Sequence, residues 1–297
     1  MIHAVADAHT HLTQFLSFSP RIVFYAEQRG CGESTALELS YFFVRNPLMR
    51  RNCGAGLLRE IRSEKLDLND SPADSYIPTI LYDELQNSLD SKTGNRAVAD
   101  ALSMYTKGFE RVIEIDGVPV KQDLFCPVIA AALTAEMDLP ADFLERAIVL
   151  PMEKPLPEQK ASKKKWFFDL RRQELEPDGD CHFRDAWDDW AYGIPSSLLK
   201  EAQQFIVADL DARIEVGRHL QLALPLALAA YMIGGDCYEQ TIEAAKVLLA
   251  NRAVPYTEPE QILADAHAII ADRANVEGNW FLPSERLKDK LRAMPER

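Results

Sequence analysis

The stretch Gly30-Cys31-Gly32-Glu33-Ser34 and the later pair Asp83-Glu84 hold the residue types that phosphate chemistry uses. A phosphate-binding loop follows the pattern G-x-x-x-x-G-K-[ST]. Its backbone N–H groups wrap phosphate oxygens, its lysine reaches the β- and γ-phosphates, and its hydroxyl meets Mg²⁺. In this chain Glu27 occupies the first glycine position, Gly32 the second, Glu33 the lysine position and Ser34 the hydroxyl position. Gly30 offers the backbone freedom that Glu27 cannot. Asp83 and Glu84 end the apolar run "IPTILYDE" (77–84). In a nucleotide hydrolase, such a strand-terminal pair places Asp83 on the magnesium and Glu84 on the attacking water. The alternative is a glycine turn and a strand end whose carboxylates are merely solvated.

Glu33 is the departure that matters. A lysine there attracts the β- and γ-phosphates, whereas a carboxylate repels them. At about 4 Å and an effective dielectric of about 20, one unit-charge interaction is roughly 4 kcal/mol, so the exchange costs at most about twice that. Even a third of this loss lowers affinity by roughly two orders of magnitude. Weak or absent ATP hydrolysis is therefore expected. Two routes round the penalty exist in the sequence: Arg29 as a substitute cation, or Mg²⁺ bridging Glu33 to phosphate.

A second pattern competes. "DAHTH", with Asp7, His9 and His11, has the D-x-H-x-H form seen at the first strand of metal-dependent amidohydrolases, where two imidazoles bind one cation. On a strand His9 and His11 would point the same way and could share a cation. The later histidines that such a site needs are limited to His182, His219 and His267, none of which ends an apolar strand-like run. On a helix, His9 and His11 diverge, and the metal reading fails.

The elements that must position these residues come next. With 297 residues, 47% of them hydrophobic, the chain can bury a large core. No segment reaches the roughly 18 consecutive apolar residues of a membrane span. The N-terminus lacks the basic and apolar regions of a signal peptide. Five scattered cysteines without a CxxC pair suit reduced thiols, so a cytoplasmic setting is expected. A net charge of -13 leaves any DNA contact local or shared in an oligomer. The local candidates are the basic stretches 45–52 and 160–172, with Lys163, Lys164 and Lys165 at the centre of the second. Both are read as solvated surface or linker.

Along the chain, the periodicity predicts a helix over 4–17, with Leu12 and Leu16 on one side. It predicts a buried parallel strand at 21–26, then a helix capped by Ser34 whose apolar side is Leu37, Leu39, Tyr41, Phe42 and Val44. After a polar insertion (62–76) come a strand at 77–84, a helix from Arg96 to Tyr105 and a hairpin turning at Asp116-Gly117. A buried strand at 125–132 follows, then a short helix and a further strand in "PADFLERAIVLPM". Alternating strands and helices argue for an α/β core with a parallel sheet. The expected division is 1–155 for the ATPase-like core, 156–190 for a partly helical linker and 191–297 for a helical region. The last ends in either a helix-turn-helix or an ordinary helical hairpin.

The ordered succession "HTHL", "SPRIVFYAEQRGCGEST", "RNCGAGLLREI", "TILYDE", "RVIEIDG", "FCPVIAAAL", "LPADFLERAIVLPM" and "LDARIEVGRHLQLALPLALAAYMIGGD" resembles a particular family. It is the helicase-like P-loop ATPase domain, a domain of unknown function, of DNA primase/helicase proteins from bacterial mobile elements and phages. The resemblance covers most of the chain and implies an AAA+ or related core with a helical C-terminal lid. It implies ATP and Mg²⁺ as ligands, DNA as a partner, and self-assembly or a replication-protein partner. Residue by residue, it places Gly32, Ser34 and Thr35 in the phosphate loop and Asp83 and Glu84 in the Walker B pair. It makes Arg146 a finger completing a neighbour's site and Arg213 a lid arginine reaching the phosphates. The strand 125–134 departs from the pattern, since Thr134 is its one polar candidate for a sensor. Against hydrolysis stands the reading of the chain as an inactive pseudo-ATPase acting as loader, adaptor or defence-associated scaffold.

Overall fold

Six residues in succession, Arg21–Ala26, form β1 and are buried almost throughout, with both faces of the strand covered. A strand with that burial needs hydrogen-bonded neighbours on both edges and apolar layers above and below. The computed structural model, which describes residues 1–50, 77–85, 104–108, 110–115, 118–133, 141–154, 182–214 and 218–250, supplies them. Besides β1, the strands are β2 (Pro47–Arg50), β3 (Thr79–Tyr82), a hairpin of β4 (Glu110–Ile115) and β5 (Val118–Asp123), β6 (Val128–Leu133) and β7 (Ala147–Pro151). Five of them make one parallel sheet in the order β2-β3-β6-β1-β7. The antiparallel hairpin is a separate two-stranded sheet, pairing Glu110 with Asp123 and Ile115 with Val118.

Strand periodicity divides the core into two layers. Ile22 and Phe24 of β1, Leu81 of β3, Ile129 and Ala131 of β6, and Ile148 and Leu150 of β7 face one cluster. Their alternates Val23, Ile80, Tyr82, Val128, Ala130, Ala132, Ala147 and Val149 face the other, together with Met104, Phe125 and Phe143. The first layer is closed by helices: α1 (Ile2–His9), α2 (Glu33–Phe43), and the C-terminal set α5 (Ser196–Arg213), α6 (Arg218–Ile233) and α7 (Cys237–Ala250). Between these lie the short α3 (Ala141–Leu144) and α4 (His182–Tyr192). α6 is strongly apolar because it packs against α1, α5 and α7 at once. It ends at Gly234 and Gly235, both at positive φ. Met1–Arg252 forms one compact unit. No described helix is long and apolar enough to cross a membrane.

Several expectations need correction. The helix predicted over 4–17 is α1 continued by a 3₁₀ turn, Thr10–Phe15, with Leu12 and Leu16 buried as expected. The strand predicted at 125–132 begins only at Val128. Leu124, Phe125 and Cys126 are buried in a connection, where the Cys126 N–H donates to the Met104 carbonyl and Asp123 accepts the Phe125 N–H. Within 77–84 only Thr79–Tyr82 joins the ladder. On α2, Tyr41 is exposed and Leu39 half-buried, while Ser40 and Ala36 share the buried side with Leu37 and Phe42. The stretch 45–52 is not a solvated linker at its start: Arg45 is buried and Pro47–Arg50 is an edge strand. The helix predicted from Arg96 does not reach Tyr105, since Met104 and Tyr105 lie in a turn and bend. Its residues 96–103, the insertion at 62–76, the basic patch 160–172, and the residues Asp116-Gly117, Thr134 and 253–297 lie outside the described residues.

His9 and His11 diverge, as expected of a helix. His9 bonds Ser19 and the Ala6 carbonyl, while His11 holds Asp188 of α4 at 2.7 Å and the Phe43 carbonyl at 2.8 Å. No group of three His, Cys, Asp or Glu side chains among the described residues converges as a metal site. Asp7 is fully packed beside His3 and Ser40, with His3 Nε2 2.7 Å from Ser40 Oγ and 3.4 Å from Asp7 Oδ2. Desolvation raises the Asp7 pKa to about 8 and lowers that of His3 to about 4. The two are therefore a neutral pair at pH 7, not an ion pair.

The sign follows from linkage. With its pKa raised from 3.8 to about 8, Asp7 contributes stability that is complete below 3.8 and lost as pH rises through 8. The advantage of Asp7→Asn over the wild type should thus grow with pH across that window, by at most about 1.4 kcal/mol per pH unit, and level off above it. Thermal unfolding at a series of pH values measures this; a pH-independent difference would contradict it.

Candidate functional site

The loop after β1 turns through two glycines in the left-handed region, Gly30 at φ 83° and Gly32 at φ 100°. A Cβ at either would meet nothing within 4 Å, so backbone conformation and not space requires glycine. Gly32, not Ser34, is the N-cap of α2: its carbonyl accepts the Ala36 N–H at 2.8 Å. No side chain caps the helix. The first-turn N–H groups are therefore left for water or an anion, where the helix dipole also favours negative charge.

Ser34 is freed from capping for another contact. Its hydroxyl donates to Asp83 Oδ1 at 3.2 Å, joining the start of α2 to the end of β3. Asp83 is fixed from both sides. Its N–H donates to the Arg50 carbonyl at 2.8 Å, and its Oδ1 also accepts the Glu84 N–H at 3.1 Å. Glu84 sits at φ 57°, a conformation that a non-glycine residue holds only when its surroundings impose it.

Between β1 and β3 lies β6, whose C-terminal end carries the small residues Ala131 and Ala132. Their size leaves a cleft of about 340 Å³, lined by Arg29, Glu33, Ser34, Asp83, Glu84, Ala131, Ala132 and Leu133. This is the carboxyl edge of a parallel sheet, where ligands of open α/β folds bind. Glu33 contributes an anomaly, since its Oε2 is buried without a hydrogen-bond partner. Such an atom is costly to leave unpaired and marks a place where a donor or cation belongs.

The structure brings Glu33, Ser34, Asp83 and Glu84 together, and Gly30 and Gly32 shape the loop that carries them. Thr35 is exposed on α2 and does not line the cleft. Arg146 lies at the opposite end of the sheet, where its carbonyl accepts the Arg21 N–H at 2.9 Å as β7 begins. About 17 Å of strand separates it from the cleft of its own chain. Arg213 is turned to α7, bonding Glu239 at 2.8 Å and Glu243 at 3.1 Å, as well as Asp209 at 3.1 Å on its own helix. It too does not line the cleft. Arg29, offered by the sequence as a substitute cation because it lies near Glu33, does line the cleft.

Ser34 Oγ and Asp83 Oδ1 present two oxygens side by side, the kind of donor set that Mg²⁺ accepts when phosphates and water complete its shell. A metal would then arrive with a phosphate ligand rather than occupy a dedicated protein cage. Bound there, it would shield phosphate charge, while Glu84 at the cleft wall could orient water.

Compared with known proteins, the chain matches no family model and no curated sequence. The resemblance to helicase-like domains therefore stands on the order of its motifs alone.

Glu84→Gly is expected to hold or raise stability, by up to about 1 kcal/mol, because the left-handed strain goes while glycine's extra chain entropy offsets part of the gain. Urea unfolding tests this. A clear loss of stability would show that the Glu84 side chain supports the fold instead of being held in strain for the cleft.

Proposed function

We propose that the cleft is a nucleotide phosphate site and that the chain is a helicase-like P-loop ATPase with a degenerate loop, binding ATP with Mg²⁺ and hydrolysing it weakly or not at all. The observation that carries this reading is the Ser34–Asp83 hydrogen bond, which joins the glycine loop to the acidic strand end across the Ala131–Ala132 floor. Supporting it are the uncapped start of α2 and the strand order, with β6 between the loop-bearing strand and the Asp83 strand as in an AAA+-type core. The role in mobile-element or phage DNA replication, with DNA and a homo-oligomer or replication protein as partners, follows from the motif resemblance. In that assembly Arg146, remote from its own cleft, would meet a neighbour's nucleotide, and α5–α7 would act as the lid.

A second reading, an inactive pseudo-ATPase serving as loader, adaptor or scaffold, is favoured by Glu33. Its carboxylate stands in the cleft where a phosphate-binding cation is needed.

Nucleotide binding and turnover with Mg²⁺, measured on the wild type and Glu33→Lys, separate the two. The ATPase reading expects detectable wild-type binding and a gain in turnover for Glu33→Lys, whose ammonium restores a cation on the phosphates. Normal wild-type hydrolysis with no gain in Glu33→Lys would refute the role given to Glu33. No binding by either protein would leave the scaffold.

A further inference from the structure

Resting on the phosphate-site reading above, we infer that the cleft admits a polyphosphate only as its divalent-metal complex, with Arg29 as the phosphate-facing cation and Glu33 facing the metal. Among the described residues lining the cleft, three carboxylates, Glu33, Asp83 and Glu84, stand against a single guanidinium, that of Arg29. A metal-free nucleoside diphosphate would bring further negative charge into a site already in deficit of cations. One divalent cation balances the deficit.

Two observations distinguish this arrangement from a merely damaged loop. The first is that Glu33 Oε2 is buried and unpartnered although Arg29 lines the same cleft. Had the two side chains simply neutralised each other, they would be within ion-pair distance, and they are not. The second is that Arg29 is exposed and forms no hydrogen bond or ion pair among the described residues, so its charge is available to a ligand. Arg45, Arg184 and Arg213, by contrast, are engaged in hydrogen bonds. Guanidinium is suited to the task, since its fork of donors matches phosphate oxygens. Glu33, Ser34 and Asp83 then form the oxygen-rich side of the cleft, the side that a hard cation prefers.

The experiment is a titration of fluorescent ADP into the full chain, in millimolar Mg²⁺ and again in EDTA. The wild type should bind in Mg²⁺ and lose about a hundredfold or more of its affinity in EDTA. Glu33→Lys should bind in both. Arg29→Ala should cost the wild type about tenfold in Mg²⁺, Arg29→Lys should retain most of the affinity, and Arg29→Ala added to Glu33→Lys should cost less than Arg29→Ala alone. Equal wild-type binding with and without metal, or an Arg29→Ala protein that binds as the wild type does, overturns this inference and leaves the phosphate site standing. Absence of binding in both the wild type and Glu33→Lys, with or without metal, overturns the phosphate site itself. Arg29 lies in an exposed loop, so its variants test the ligand and not the fold.

Discussion

The constraint on which the structure depends is the burial of both faces of β1 and β6. A strand covered on both sides alternates its apolar residues between two cores, and here Ile22 and Phe24 serve one while Val23 serves the other. A parallel sheet so enclosed returns every connection over a face, so that its loops gather at the two edges. The glycine turn after β1 and the acidic end of β3 thus open on the same carboxyl edge. Their meeting at Ser34–Asp83 is a consequence of sheet order and not of sequence proximity.

The same geometry separates the residues that a linear motif scan groups together. Arg146 precedes β7 and must lie at the amino edge, since parallel strands start there. Arg213 belongs to the helical layer, where carboxylates from two helices neutralise it; their exposure limits the strength of each pair. Among the described residues, the cleft at the carboxyl edge is lined by a small set: one guanidinium, one hydroxyl and three carboxylates around an alanine floor. On the phosphate-site proposal, the balance of charge there matters more than the shape of the loop.

Legibility in the sequence followed local physics. β1, β3 and β7 are short apolar runs bounded by turn or charged residues, and each stands out without tertiary information. β2 does not, because Pro47–Arg50 carries little β signal and is ordered by pairing Pro47 with Thr79 and Arg50 with Tyr82. The first residues of the predicted strand at 125 were misleading because a loop can be as buried as a strand; Cys126 is wholly buried outside the ladder. In the cleft, Glu33, Ser34, Asp83 and Glu84 were visible through spacing. The unpartnered state of Glu33 and the contribution of Ala131 and Ala132 were not, since both depend on what faces them across the sheet. The His11–Asp188 contact, 177 positions apart in the chain, likewise has no local signature.

The most direct measurement of the central claim is the map of backbone amide chemical shifts on addition of Mg²⁺ and ADP to isotopically labelled protein. Binding at the cleft predicts that the largest changes fall on the amides of residues 29–35 and on Asp83 and Glu84, with the 3₁₀ turn little altered. Changes centred on the helical layer, or none across 29–35 at saturating nucleotide, would contradict it.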